Sequence, residues 1–141
     1  MKTLLFGSML LVLTFLVPVP TMAGVSVGVE VGLPPPIIVQ TPPAMVVLPG
    51  APSVYVAPQV SVDLFFWNGW WWRPWGGYWY RSRYYDRGWV YYSHGVPNFY
   101  RHENPGWRGY YNSHTWNGRY WNYRLIPHQQ FVQGHYGHYR G

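Results

Sequence analysis

The 141-residue chain contains no cysteine. That absence excludes a disulfide-stapled domain, a thiolate metal site and covalent haem attachment. Carboxylates are nearly as scarce, with Glu30, Asp63, Asp86 and Glu103 the only 4. Glycoside hydrolysis usually needs two carboxyl groups across a cleft, and no spacing here pairs any two. Ser61, Ser82, Ser93 and Ser113 stand in no nucleophile-elbow pattern, and the chain has neither a glycine-rich phosphate loop nor an H-E-x-x-H motif. These residues point to no enzyme and call for no cofactor. Charged residues make up only 10% of the chain, too few for a disordered polyelectrolyte. Uninterrupted helical stretches are missing as well, because 14 Pro and 16 Gly are scattered through the chain, which argues against a helix bundle.

What is present is aromatic and basic. Aromatics form 21% of the chain, with 10 Trp and 14 Tyr, and the formal charge is +6. The length suits one small domain. Residues 1–23 read as a signal peptide: Lys2, then an apolar run over residues 4–17, broken by Pro18 and Pro20, with Thr21-Met22-Ala23 offering the small residues of a cleavage site. The run stops short of the roughly 20 apolar residues a membrane span requires. Without cysteine there is no lipoprotein anchor. Export is therefore expected, to the periplasm or to the outer-membrane or extracellular side.

Composition then divides the remainder. Residues 24–62 hold eight prolines and a single aromatic, Tyr55. Val25, Val27, Val29 and Val31 alternate with the period of a strand, while the proline clusters favour extended polyproline backbone. This stretch is read as an extended segment or linker with short strands. From Asp63 onward lie all ten tryptophans and all nine arginines. Asn68-Gly69, Gly76-Gly77 and Asn117-Gly118 each sit between aromatic runs, and such pairs favour two-residue hairpins because type I′ turns need positive φ at both central residues.

The fold class predicted is thus small and all-β: an antiparallel β-meander with hairpins, an extended Pro-rich N-terminal segment and little helix. Residues 63–133 form the aromatic module and residues 134–141 a disordered tail. The two turns pair Trp67 with Trp70, Phe65 with Trp72, Asp63 with Pro74, Trp75 with Tyr78, Arg73 with Tyr80 and Trp72 with Arg81. Pro74 is tolerated because its nitrogen faces the frayed start of the first strand. One face carries Phe65, Trp67, Trp70, Trp72 and Trp79 with Asp63, Arg81 and Arg83. The other carries Leu64, Phe66, Trp71, Trp75, Tyr78 and Tyr80 with Arg73 and Ser82. A single sheet cannot bury both, so the second needs a cover: the N-terminal half, the C-terminal hairpin, another subunit or a ligand. Residues 96–100 and 127–133 are read as single helical turns, the latter ending at Gly134.

Two functional readings compete. In the first, Trp67, Trp70, Trp72 and Trp79 with Arg81 and Arg83 form a ligand-binding face, since indoles meet sugar faces and membrane headgroups while arginine meets anions. The partners expected are envelope polysaccharide, an anionic membrane surface or a protein, with self-association through exposed edge strands as a further outcome. The dull counterpart is that these rings are the core of a sheet short of aliphatics. In the second reading, His135 and His138, an H-x-x-H pair, bind a metal in the periplasm, although a site normally needs three or four ligands. Basic charge with interleaved aromatics also suits single-stranded nucleic acid, but export argues against it. The strands are too short for an outer-membrane barrel.

The run over residues 63–85, together with Pro105-Gly106-Trp107-Arg108, Trp121-Asn122-Tyr123 and Ile126-Pro127-His128-Gln129-Gln130, resembles a group of small exported Trp/Tyr-rich proteins of Gram-negative bacteria. It is similar, more loosely, to proteins with Trp-x-x-Gly-x-Trp repeats, which Phe66-x-x-Gly69-x-Trp71 approximates with Phe in the first position. The resemblance implies export to the envelope and a short β-rich aromatic module, and carries no activity with it.

Overall fold

The computed structural model describes residues 31–102 and 106–136. The expected signal peptide, Val25 to Val29 of the valine alternation, Glu103 and His138 lie outside them. Six strands follow one another: β1 (Val46–Leu48), β2 (Ala51–Val56), β3 (Phe65–Trp67), β4 (Trp70–Trp75), β5 (Tyr78–Ser82) and β6 (Val90–Tyr91). They form one sheet in chain order, every neighbour antiparallel. Helices α1 (Asn98–His102) and α2 (Trp107–Ser113), the hairpin β7 (Thr115–Trp116) and β8 (Arg119–Tyr120), and helix α3 (His128–Tyr136) complete the chain. The fold is the expected meander, enlarged.

Local backbone chemistry sets its register. Asn68 and Gly69 have φ of 50° and 77°, Gly76 and Gly77 of 58° and 81°, and Asn117 and Gly118 of 48° and 77°. Those are the left-handed values a type I′ turn demands, and only Gly or Asn adopts them at little cost. The ladders follow: Trp67 opposes Trp70 and Phe65 opposes Trp72, while Trp75 opposes Tyr78 and Arg73 opposes Tyr80. β3 begins at Phe65, so Asp63 does not reach the ladder, and Pro74 has no β3 partner to disappoint.

The described part of residues 24–62 is not a spacer. β2 pairs directly with β3, Tyr55 opposing Phe66 and Val56 opposing Phe65, so the expected boundary at residue 62 falls inside one sheet. Pro52 is accommodated by a register shift after Val47, where a missing donor does no harm. Only residues 31–44 remain extended. They lie across the sheet, with Ile37 N–H donating to the Asp86 carbonyl at 3.0 Å and Tyr80 Oη to that of Gly32.

Two apolar layers result, one per face, as the alternation required. The first joins Leu64, Phe66, Trp71 and Tyr80 to Ile37, Met45 and Val60, with Phe131 of α3. The second joins Phe65, Trp72 and Trp79 to Val54 and Val56, and is closed by Phe99 of α1, Trp107 of α2 and Trp121. The cover for both faces is therefore the chain itself. α3 also corrects the expected tail, since it continues through Gly134 to Tyr136. His135 stacks on Phe131 at 4.3 Å and meets Tyr55 at 4.7 Å, and these contacts outweigh the roughly 1 kcal/mol that glycine costs inside a helix. Among the described residues, no helix is long and apolar enough to cross a membrane.

Candidate functional site

β5 ends at Ser82 with Arg81 opposite Trp72, and Arg83 follows it in the chain, so that both arginines reach the Trp70 ring. The Arg83 guanidinium carbon lies 3.6 Å from the Trp70 ring centroid and that of Arg81 4.3 Å from it. Arg81 also lies 5.8 Å from the Trp72 ring and 5.5 Å from Tyr92, which continues β6. Arg83 donates from Nη1 to the Gly69 carbonyl at 2.7 Å, tying it to the turn that precedes Trp70. One indole thus gathers two guanidinium groups. Each such contact contributes about 0.5–1 kcal/mol at an exposed site, while the two like charges repel.

The two acidic side chains among the described residues, Asp63 and Asp86, form ion pairs with other arginines. Asp86 holds Arg87 at 3.1 Å and Asp63 holds Arg108 at 3.0 Å. Asp63 was expected among the arginines of the meander, and it pairs instead with α2. Arg81 has no ion pair among the described residues, and neither has Arg119 or Arg124. Arg73, on the opposite face, is structural. Only 3% exposed, it donates from Nη1 to the Pro35 carbonyl at 2.8 Å and lies over Trp89. Burial lowers its pKa from the ordinary value.

The expected ligand-binding face needs correction. Trp72 and Trp79 are 2% and 7% exposed, enclosed by Phe99 and Tyr92 in one case and by Phe99 and Tyr100 in the other. Neither ring can receive a ligand. Trp67 is half-buried, packed 5.3 Å from Phe99, and its carbonyl accepts from Trp72 Nε1 at 3.1 Å. Trp70, Arg81 and Arg83 remain together, joined by Tyr92, which strand spacing alone could not attach to them.

The described histidines do not converge. His135 is caged by Tyr55, Phe66 and Phe131, and its Nδ1–H donates to the Phe131 carbonyl at 2.8 Å. His128 sits 3.3 Å from the Pro43 carbonyl, and His114 stacks on Tyr123. Among the described residues no three His, Asp or Glu side chains gather as metal ligands. Compared with protein-family models, curated proteins and solved structures, the chain shows no significant match.

Proposed function

We propose that this protein is a non-catalytic, exported binding module that holds acidic polysaccharide of the cell envelope, with Arg81 and Arg83 around Trp70 as its anion-reading surface. One observation carries the reading: two guanidinium groups are stacked on a single half-buried indole. Arginine suits carboxylate or phosphate recognition because its planar fork presents paired donors. Stacking on the ring restrains both forks before a ligand arrives, which lowers the ordering cost of binding. Export is supported by the basic start and apolar run of residues 1–23.

Affinity electrophoresis through gels cast with alginate, or with neutral dextran, tests this. Alginate should retard the protein, dextran should not, and added salt should weaken the effect. The double variant Arg81→Ala, Arg83→Ala should migrate freely while melting as a folded protein. Equal retention of that variant would overturn the reading. Binding to anionic phospholipid vesicles in the absence of alginate retention would replace the polysaccharide with a membrane surface.

A further inference from the structure

The β7–β8 hairpin has only two residues per strand, far too few to persist unaided. Its inner side holds it in place. Trp116 packs 5.1 Å from Tyr110 and 5.3 Å from Trp121, and Trp121 N–H donates to the His114 carbonyl at 2.8 Å. The other side chains at its tip and second strand have no such employment. Tyr120 is 76% exposed and makes no ring contact, Arg119 forms no ion pair, and Asn117 and Asn122 form no side-chain hydrogen bond among the described residues. These side chains, with Trp116 and Pro49 of the β1–β2 turn, surround a cleft of about 520 Å³. That volume falls within the range typical of small-molecule sites.

The lining has a definite chemical character. Aromatic rings offer flat apolar surface to the C–H face of a pyranose. Two carboxamides each carry donors and an acceptor, matching the mixed donor–acceptor character of hydroxyl groups. One guanidinium offers a paired donor fork for a carboxylate. Among the described residues no acidic side chain lines the cleft to oppose an anion. We infer that this cleft is a saccharide subsite that takes a uronic acid residue, the sugar ring against its aromatic lining and the carboxylate on Arg119. The inference rests on the reading of the chain as an acidic-polysaccharide binder for its ligand class, and it places the sugar ring at residues distinct from Arg81 and Arg83.

Calorimetric titration of the folded protein with digalacturonate, and with maltose as the neutral control, tests it. Saturable digalacturonate binding is expected, weakened at least tenfold by Tyr120→Ala and by Arg119→Ala, each with an unchanged melting temperature because both side chains are exposed. Arg101→Ala, which removes an exposed charge outside the cleft, should bind as the parent does. Absence of saturable binding would overturn the inference, as would an equal loss in Arg101→Ala or equal affinity for maltose. Full digalacturonate affinity in the Arg119 and Tyr120 variants, lost only in Arg81→Ala, Arg83→Ala, would sink the cleft and leave the polysaccharide reading standing.

Discussion

Arg108 of α2 reaches Asp63 at the start of the aromatic run, its Nε donating to Oδ1 at 3.0 Å. The same guanidinium donates from Nη2 to the carbonyls of Val60 and Val62 at 2.7 Å each, and from Nη1 to that of Pro58 at 3.3 Å. A single side chain therefore satisfies the loop between β2 and β3 and holds α2 against the sheet. The neighbouring Trp107, 1% exposed, closes the second apolar layer. Arg108→Ala should cost about 2–3 kcal/mol, given roughly 1.5–3 kcal/mol for a hydrogen bond to a charged group and partial solvent access. Lysine should restore little, since it cannot span four acceptors as a planar fork. Urea midpoints of the three proteins check this.

The tryptophans should separate by burial. Trp72→Ala and Trp79→Ala empty positions within a packed layer and should each cost about 3–5 kcal/mol. Trp70→Ala removes a half-buried ring and two cation–π contacts, so its cost should stay near 1–2 kcal/mol. Alginate retention should nevertheless fall in the folded Trp70 variant. Thermal melts beside affinity electrophoresis distinguish a lost fold from a lost surface.

The type I′ turns offer a test of backbone strain alone. A Cβ on Gly76 or Gly77 would meet nothing within 4 Å, yet both glycines have positive φ. Gly77→Ala should then destabilise by about 1–2 kcal/mol through conformation only. Gly76→Asn should be nearly neutral, because Asn68 and Asn117 occupy the equivalent first position at φ 50° and 48°. Chemical unfolding of both variants reads the difference.

Alkaline pH should unfold the protein through its tyrosines. Burial raises the pKa of Tyr80, helped by the neighbouring Tyr91 and Tyr78 phenols. Burial likewise raises Tyr100, with Asp63 adding to it, and Tyr111, with its hydrogen bond and proximity to Tyr123 adding to it. A phenol that binds its proton more tightly when folded contributes stability below its unfolded pKa, near 10, and loses it as pH rises through the folded value. Stability should hold up to about pH 10 and decline above it. Tyr80→Phe should lose the bond to the Gly32 carbonyl at neutral pH and show a shallower alkaline decline. Absorbance at 295 nm and melts between pH 8 and pH 12 follow both.

The short helices explain why some of the site was illegible beforehand. α2 carries Gly109 within its seven residues and starts at Gly106 without a side-chain cap, so nothing local announces it. Such a segment is helical only because Trp107 has a layer to enter, and an isolated helix of that length is unstable. Once α1 is in place, its Phe99 covers Trp72 and Trp79, and Trp107 of α2 covers Phe65 beside them. A pattern of alternating rings cannot distinguish a ring beneath a helix from a ring facing solvent.

Sequence alone determined the hairpins of this protein and their register, because positive φ at Asn68-Gly69, Gly76-Gly77 and Asn117-Gly118 is a local requirement that only Gly and a few polar residues meet cheaply. It determined as well which side chains share a face, since the strand period admits no choice. Tertiary structure alone decided which of those faces water can reach. That outcome depends on contacts between residues far apart in the chain: Phe99 over Trp72 and Trp79, Trp107 over Phe65, Phe131 over Phe66, and a valine-rich stretch that joins the sheet at Tyr55 and Val56. Burial of apolar area is non-directional and collective, so no short window of residues records where it will be satisfied.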